Sequence, residues 1–195
     1  MRTRRELVRG AAVSASAASG LLLAGAASAA TASEDDVAIL RRTLELEQGV
    51  VVAYRRVLSS GKLEPRLTGK VAGILAQELV HVGTLRRALA TRGASIPRAP
   101  RDVAAAQRGL AKRHMYTSLT LLRNQNECLK LLIDVESVAE GAYFEAIGKL
   151  KDPELLRVST QIMGCEAQHW TVLSGVRHHG DVMISVPYPF VQGSM

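Results

Sequence analysis

The chain is expected to be all-α, a four-helix up-down bundle with one long crossover. Three observations lead there. Past residue 32 every long segment places its apolar residues at three- and four-residue steps. No segment shows the two-residue alternation of a half-buried strand. The links between the periodic segments run short, long, short, which joins two antiparallel hairpins by one crossover.

Residues 1–32 stand apart from that pattern. TRRELVRG is basic, residues 11–30 carry no charge, and the stretch ends in Ala-Ser-Ala and Ala-Thr-Ala. This is the layout of a cleaved export signal. Arg4-Arg5 favours a twin-arginine signal, with a general secretion signal and a retained anchor as the alternatives. The run is too rich in Ala and Gly for a stable membrane span. The expected mature protein is 33–195, one domain, exported to the periplasm, the cell envelope or the medium. Arg2, Arg4, Arg5, Arg9 and Glu6 leave with the signal, so the formal charge falls from +7 to +4. No basic patch interleaved with aromatics remains, and no nucleic-acid partner is expected.

The first helix is expected over about 35–59, carried by Val37, Leu40, Leu44, Glu47, Val51, Tyr54 and Leu58 and stopped by Ser-Ser-Gly-Lys. The second spans about 66–91, with Leu67, Val71, Ile74, Glu78, His81, Leu85 and Leu89 on one stripe before Gly93, Pro97 and Pro100. Asp102 caps a helical piece to about 114 within the crossover. The third core helix is expected over about 118–149, with Leu122, Leu129, Leu132, Glu136, Ala139 and Tyr143 near one face. Asp152-Pro153-Glu154 starts a fourth, which carries Leu155, Ile162, Glu166, His169, Leu173 and Val176 to the glycine at 180. The prolines of VPYPF, 186–190, make the tail extended.

Carboxylates interrupt all four apolar stripes, and their spacing suggests why. Glu78-Leu-Val-His81 and Glu166-Ala-Gln-His169 are both Glu-x-x-His. Three helical residues rise about 4.5 Å and turn about 300°, so each Glu and His share a side. Glu47 and Glu136 supply the other two helices, each followed seven residues later by a tyrosine, Tyr54 and Tyr143. The chain thus reads as a doubled helix pair. Four buried carboxylates at one level repel, and no Lys or Arg lies on those stripes to balance them. Two divalent cations would. Oxygen and imidazole ligands suit iron or manganese, with two carboxylates bridging and a histidine at each end. The competing reading makes each Glu a solvated residue beside its stripe and each His a satisfied, half-buried side chain. A further alternative is a bundle that keeps the ligands without binding metal.

Other polar residues are less decided. Glu140, one turn past Glu136, is either an additional or switching ligand or faces a neighbouring helix. Tyr54 and Tyr143 lie about 10.5 Å along the axis from their own glutamates, too far to ligate beside them. They either bond the opposing hairpin's carboxylates or histidines or serve as large core residues. Glu45 lies about 200° round from Glu47 and is read as solvated. His114 is read as surface, and His178-His179 as a helix C-terminal pair. Cys128 and Cys165 would be on the order of 13 Å apart along the bundle, so two free thiols are expected.

With these motifs in view, the chain resembles the ferritin-like superfamily, with the ligand order of rubrerythrin-type di-iron proteins. Closer still, it resembles exported bacterial ferritin-like domain proteins. The resemblance rests on LELEQGVVVAY, QELVHVGTLRRAL with GASIP, and KDPELLRVSTQIMGCEAQH leading to VPYPF, and covers about 36–190. It implies metal ligands at Glu47, Glu78, His81, Glu136, Glu166 and His169, and two iron ions, alternatively two manganese ions. It also implies iron(II) oxidation by oxygen or peroxide, or peroxide scavenging. The alternatives are a manganese catalase-like dismutase and a non-catalytic envelope stress or interaction protein. No Cys-x-x-Cys pair is present, so the rubredoxin-like module is absent and any redox cycling is expected to use an external reductant or the substrate itself. A homodimer is one oligomeric state compatible with this reading.

Overall fold

The structure, a computed structural model, describes residues 34–186; the expected export signal and the part of the tail beyond Val186, expected to be extended, lie outside them. Six helices follow one another: α1 Glu34–Ser59, α2 Pro65–Ala90, α3 Val103–Ala111, α4 Gln125–Ile147, α5 Pro153–Arg177 and α6 Val182–Ser185. The described residues contain no strand. α1 packs on α2 and α4 on α5, and α1 also packs on α4, whereas α2 and α5 touch little. These four form the expected bundle, and α3 lies in the long crossover against α1.

Local chemistry sets the ends. Pro65 occupies the first turn of α2 and Pro153 that of α5, where the missing N–H costs nothing. Asp102, Asn124 and Asp152 cap α3, α4 and α5 through their side-chain oxygens. Asp152 also accepts from Arg92 Nη2 at 2.6 Å, which ties the end of α2 to the start of α5. Fully buried Asp36 takes the backbone N–H groups of Lys151 and Asp152 at 3.1 and 2.9 Å, fastening α1 to the same corner. Gly49 lets α3 approach α1, since a Cβ there would lie 3.3 Å from Leu110 Cδ2.

Three helix boundaries differ from expectation. The third core helix begins at Gln125 rather than near 118. Residues before it are held by Gln107, whose amide takes Leu119 N at 2.7 Å and gives to Thr117 O at 3.2 Å. Leu119 and Leu122 are buried nonetheless. Leu122 therefore belongs to the core from the crossover and not from a helix, and apolar spacing alone did not distinguish the two. α3 stops at Ala111 rather than 114, where His114 takes φ 63° and Met115 N reaches back to Leu110 O at 3.2 Å. α5 ends at Arg177, three residues before Gly180, which at φ 84° turns its N–H back to Gly175 O at 2.7 Å. The short helix α6, absent from the sequence expectation, is capped by Asp181.

The core is divided in two. One apolar cluster gathers Leu46, Val50, Val57, Leu67, Val71, Ile74, Leu129, Leu132 and Leu173. The other gathers Ile39, Leu40, Leu44, Leu85, Leu89, Ala146, Leu155 and Ile162. On α2 and α5 a glutamate falls where the chain passes from one cluster to the other, Glu78 between Ile74 and Leu85 and Glu166 between Ile162 and Leu173, and on α1 and α4 Glu47 and Glu136 lie within a turn of that passage. A buried polar layer thus lies between two dry ones.

Candidate metal centre

α1 brings Glu47 to this layer, α2 Glu78 and His81, α4 Glu136, and α5 Glu166 and His169. All four carboxylates are fully buried, and the histidines are only 8 % and 4 % exposed. His81 Nδ1 lies 2.8 Å from Glu166 Oε1 and 3.4 Å from Glu78 Oε2. His169 Nδ1 lies 2.8 Å from Glu78 Oε1, 3.4 Å from Glu166 Oε2 and 3.6 Å from Glu136 Oε2. The two rings stack with centroids 6.1 Å apart. Each Glu-x-x-His therefore reaches across to the other, 81 facing 166 and 78 facing 169, a register that only antiparallel helices allow.

The tyrosines cross in the same way. Tyr143 OH donates to Glu47 Oε1 at 2.6 Å, and Tyr54 OH donates to Glu136 Oε1. α1 and α4 are antiparallel, so the seven-residue spacing that separates each tyrosine from its own glutamate delivers it to its neighbour's. Both sequence readings hold, since each hydroxyl bonds a carboxylate of the other hairpin while Tyr54 packs in the first apolar cluster and Tyr143 in the second. Each bond occupies one oxygen of a terminal glutamate and leaves the other free.

What remains free is the test of whether metal fits. Glu47 Oε2, Glu136 Oε2, both oxygens of Glu78, both of Glu166 and Nδ1 of each histidine are buried without a hydrogen-bond partner. The short Nδ1–oxygen contacts are close but not aligned as N–H···O bonds. Buried lone pairs left in this state are costly unless something electropositive faces them. The residues form two groups, Glu47–Glu78–His81–Glu166 and Glu78–Glu136–Glu166–His169, with the ligand atoms of each within 4.8 Å of one another. Each group is a carboxylate-rich, single-imidazole donor set of the kind that iron and manganese take. Glu78 and Glu166 belong to both, and each has two free oxygens to share. The cluster is compatible with a di-metal site.

Without a cation the layer must be balanced by protons. Burial, then the charges of Glu166 and Glu78, pushes the Glu47 carboxyl well above the usual carboxylate range. Burial and Glu166 do the same to Glu136. Burial opposes charge on the histidines, but the surrounding carboxylates win, lifting His81 to about 11 and His169 to about 12. Burial also works against ionised Glu166, yet Glu136 and the two imidazoles hold it down to about 2. The tyrosines are raised well above their ordinary value by burial and by their glutamates, so both hydroxyls remain donors.

The other sequence candidates fall outside this cluster. Glu140 is half-buried, one turn beyond Glu136, and belongs to neither group; burial and the Glu166 charge raise its pKa. Glu45 and His114 are exposed, and His178 caps α5. Cys128 and Cys165 are free thiols, as expected. Sequence reasoning missed Gln77, whose Oε1 lies 2.6 Å from His169 Nε2. Its signal was its place immediately before Glu78, as Cys165 stands immediately before Glu166.

A buried Glu/His layer in a bundle with one long crossover defines a class, and the family comparison agrees with it. Residues 35–179 match the family model described as the ferritin-like domain. The chain belongs to the ferritin-like domain family. No curated protein and no solved structure is similar enough to match it.

Proposed function

We propose that this centre holds two redox-active metal ions, iron or alternatively manganese, and that the protein oxidises iron(II) with oxygen or peroxide or scavenges peroxide. One observation carries the reading: six buried side chains bring eight ligand atoms together that have no hydrogen-bond partner. Bound ions would supply the Lewis acidity and electrons that oxygen or peroxide reduction requires. The chain's own residues do the rest. Glu78 and Glu166, which belong to both ligand groups, would hold both ions, and Glu47 and Glu136 would each hold one. Tyr143 and Tyr54 hold those terminal carboxylates by their second oxygen and keep a proton there. The apolar layers on either side exclude bulk water.

The test is metal content and optical absorbance beside a His81→Ala, His169→Ala double variant. About two irons or manganeses per chain are expected, with the variant losing them. A wild-type protein still without metal after iron and manganese supply would overturn the proposal. Consumption of iron(II) or peroxide by the loaded protein then separates the reactions. We also infer export, supported by Arg4-Arg5 and the uncharged run 11–30. The mass of the cell-envelope or secreted form is expected to correspond to a chain beginning near residue 33; an intact Met1 there would refute cleavage.

A further inference from the structure

The two candidate metal positions share their bridging glutamates but are not held alike from outside. His169 turns Nδ1 to the carboxylates and Nε2 outward, where Gln77 Oε1 lies 2.6 Å away and Cys165 Sγ 3.4 Å. The amide oxygen of Gln77 only accepts, so this contact requires the proton on Nε2. Cys165 Sγ lies 3.8 Å from the same oxygen, within reach to donate to it. With one proton fixed on Nε2, it is the Nδ1 proton that a metal displaces, and the lone pair this frees points toward Glu78, Glu136 and Glu166. That is the tautomer a metal ligand must have.

His81 has no such partner. Its Nδ1 faces Glu166 and Glu78, and no described residue accepts from its Nε2. The internal repeat explains the difference. The position before the second Glu-x-x-His, where a reciprocal glutamine would stand, is Cys165, and a thiol is a weak acceptor.

We infer that Gln77 is a positioning residue that locks His169 as a metal ligand, so that the Glu136/His169 position binds its ion more tightly than the Glu47/His81 position. This rests on the two-metal reading above. An acceptor on the outer nitrogen of a ligating histidine fixes the ring and raises its basicity, and losing one typically weakens metal binding about 10–100-fold. Gln77 is exposed, so its substitution leaves the buried core intact.

The full chain, stripped of metal, is titrated with cobalt(II) by calorimetry and visible absorption. Wild type is expected to fill in two resolved steps, with His169→Ala removing the tighter and His81→Ala the weaker. Gln77→Leu should weaken the tighter step about 10–100-fold and leave the other in place. Gln77→Glu, which keeps an acceptor at the same reach, should restore it. A Gln77→Leu isotherm that superimposes on wild type, an equal weakening of both steps, or failure of Gln77→Glu to rescue would overturn the inference alone. Wild type that takes up no cobalt would overturn the two-metal reading with it.

Discussion

Loading two divalent ions at neutral pH is expected to expel protons, those of the two histidines first, because metal binding to protonated ligands must displace them. The groups concerned are His81 and His169, lifted to about 11 and 12, and the acids Glu47 and Glu136, raised by burial and by neighbouring carboxylates. Two doubly charged cations would take the place of those protons in the buried layer. Proton and metal compete for the same lone pairs, so affinity should rise with pH and collapse on acidification. Calorimetry in buffers of different ionisation enthalpy measures the release directly; less than about one proton would contradict the proton-balanced layer.

The metal-free protein should show the opposite dependence. A group whose folded pKa is raised binds protons more tightly folded than unfolded, so its stabilisation is lost as pH rises through the shifted value. For the histidines that loss begins above the ordinary 6.5 and continues to about 11 or 12. Glu47 and Glu136 act in the same direction from 4.5 upward, whereas Glu166, held near 2, loses its contribution only in strong acid. Chelated protein should therefore unfold at progressively lower urea as pH is raised from 6 toward 9. A flat or rising midpoint over that interval would refute the assignment.

Replacing Glu166 with Ala is expected to abolish both metal positions, whereas Glu47→Ala should abolish one. Glu166 belongs to both four-residue groups and Glu47 to a single group. The two variants should differ in the metal-free protein as well. Glu166 is the carboxylate held ionised between two imidazoliums, with His81 Nδ1 2.8 Å from it. Removing one partner of such a buried charge cluster costs about 3–5 kcal/mol. Glu47, whose carboxyl burial raises, accepts there from Tyr143. Its loss leaves one buried hydroxyl without an acceptor, about 1–3 kcal/mol. Elemental analysis and urea unfolding of the pair check both statements. Equal metal loss in the two variants would show that the bridging assignment is wrong.

The fold and most of the candidate site were legible because their determinants are local. Helical rise and rotation put Glu78 with His81 and Glu166 with His169 on shared faces whatever the surroundings. Pro65, Pro153 and Asp152 announced their helix starts through capping chemistry that needs no tertiary partner. The beginning of α4 was not legible, because Leu119 and Leu122 keep helical spacing while Gln107, a dozen residues upstream, holds that segment off the helix.

The sequence by itself determined which six side chains share the polar layer, since each position follows from the periodicity of one helix. Only the tertiary structure decided what those side chains do to one another. It made Glu78 and Glu166 the shared pair, gave Tyr54 to Glu136 and Tyr143 to Glu47, and set Gln77 against one histidine only. These are questions of register between helices. Register is settled by how the two apolar clusters pack, and no single helix carries that information.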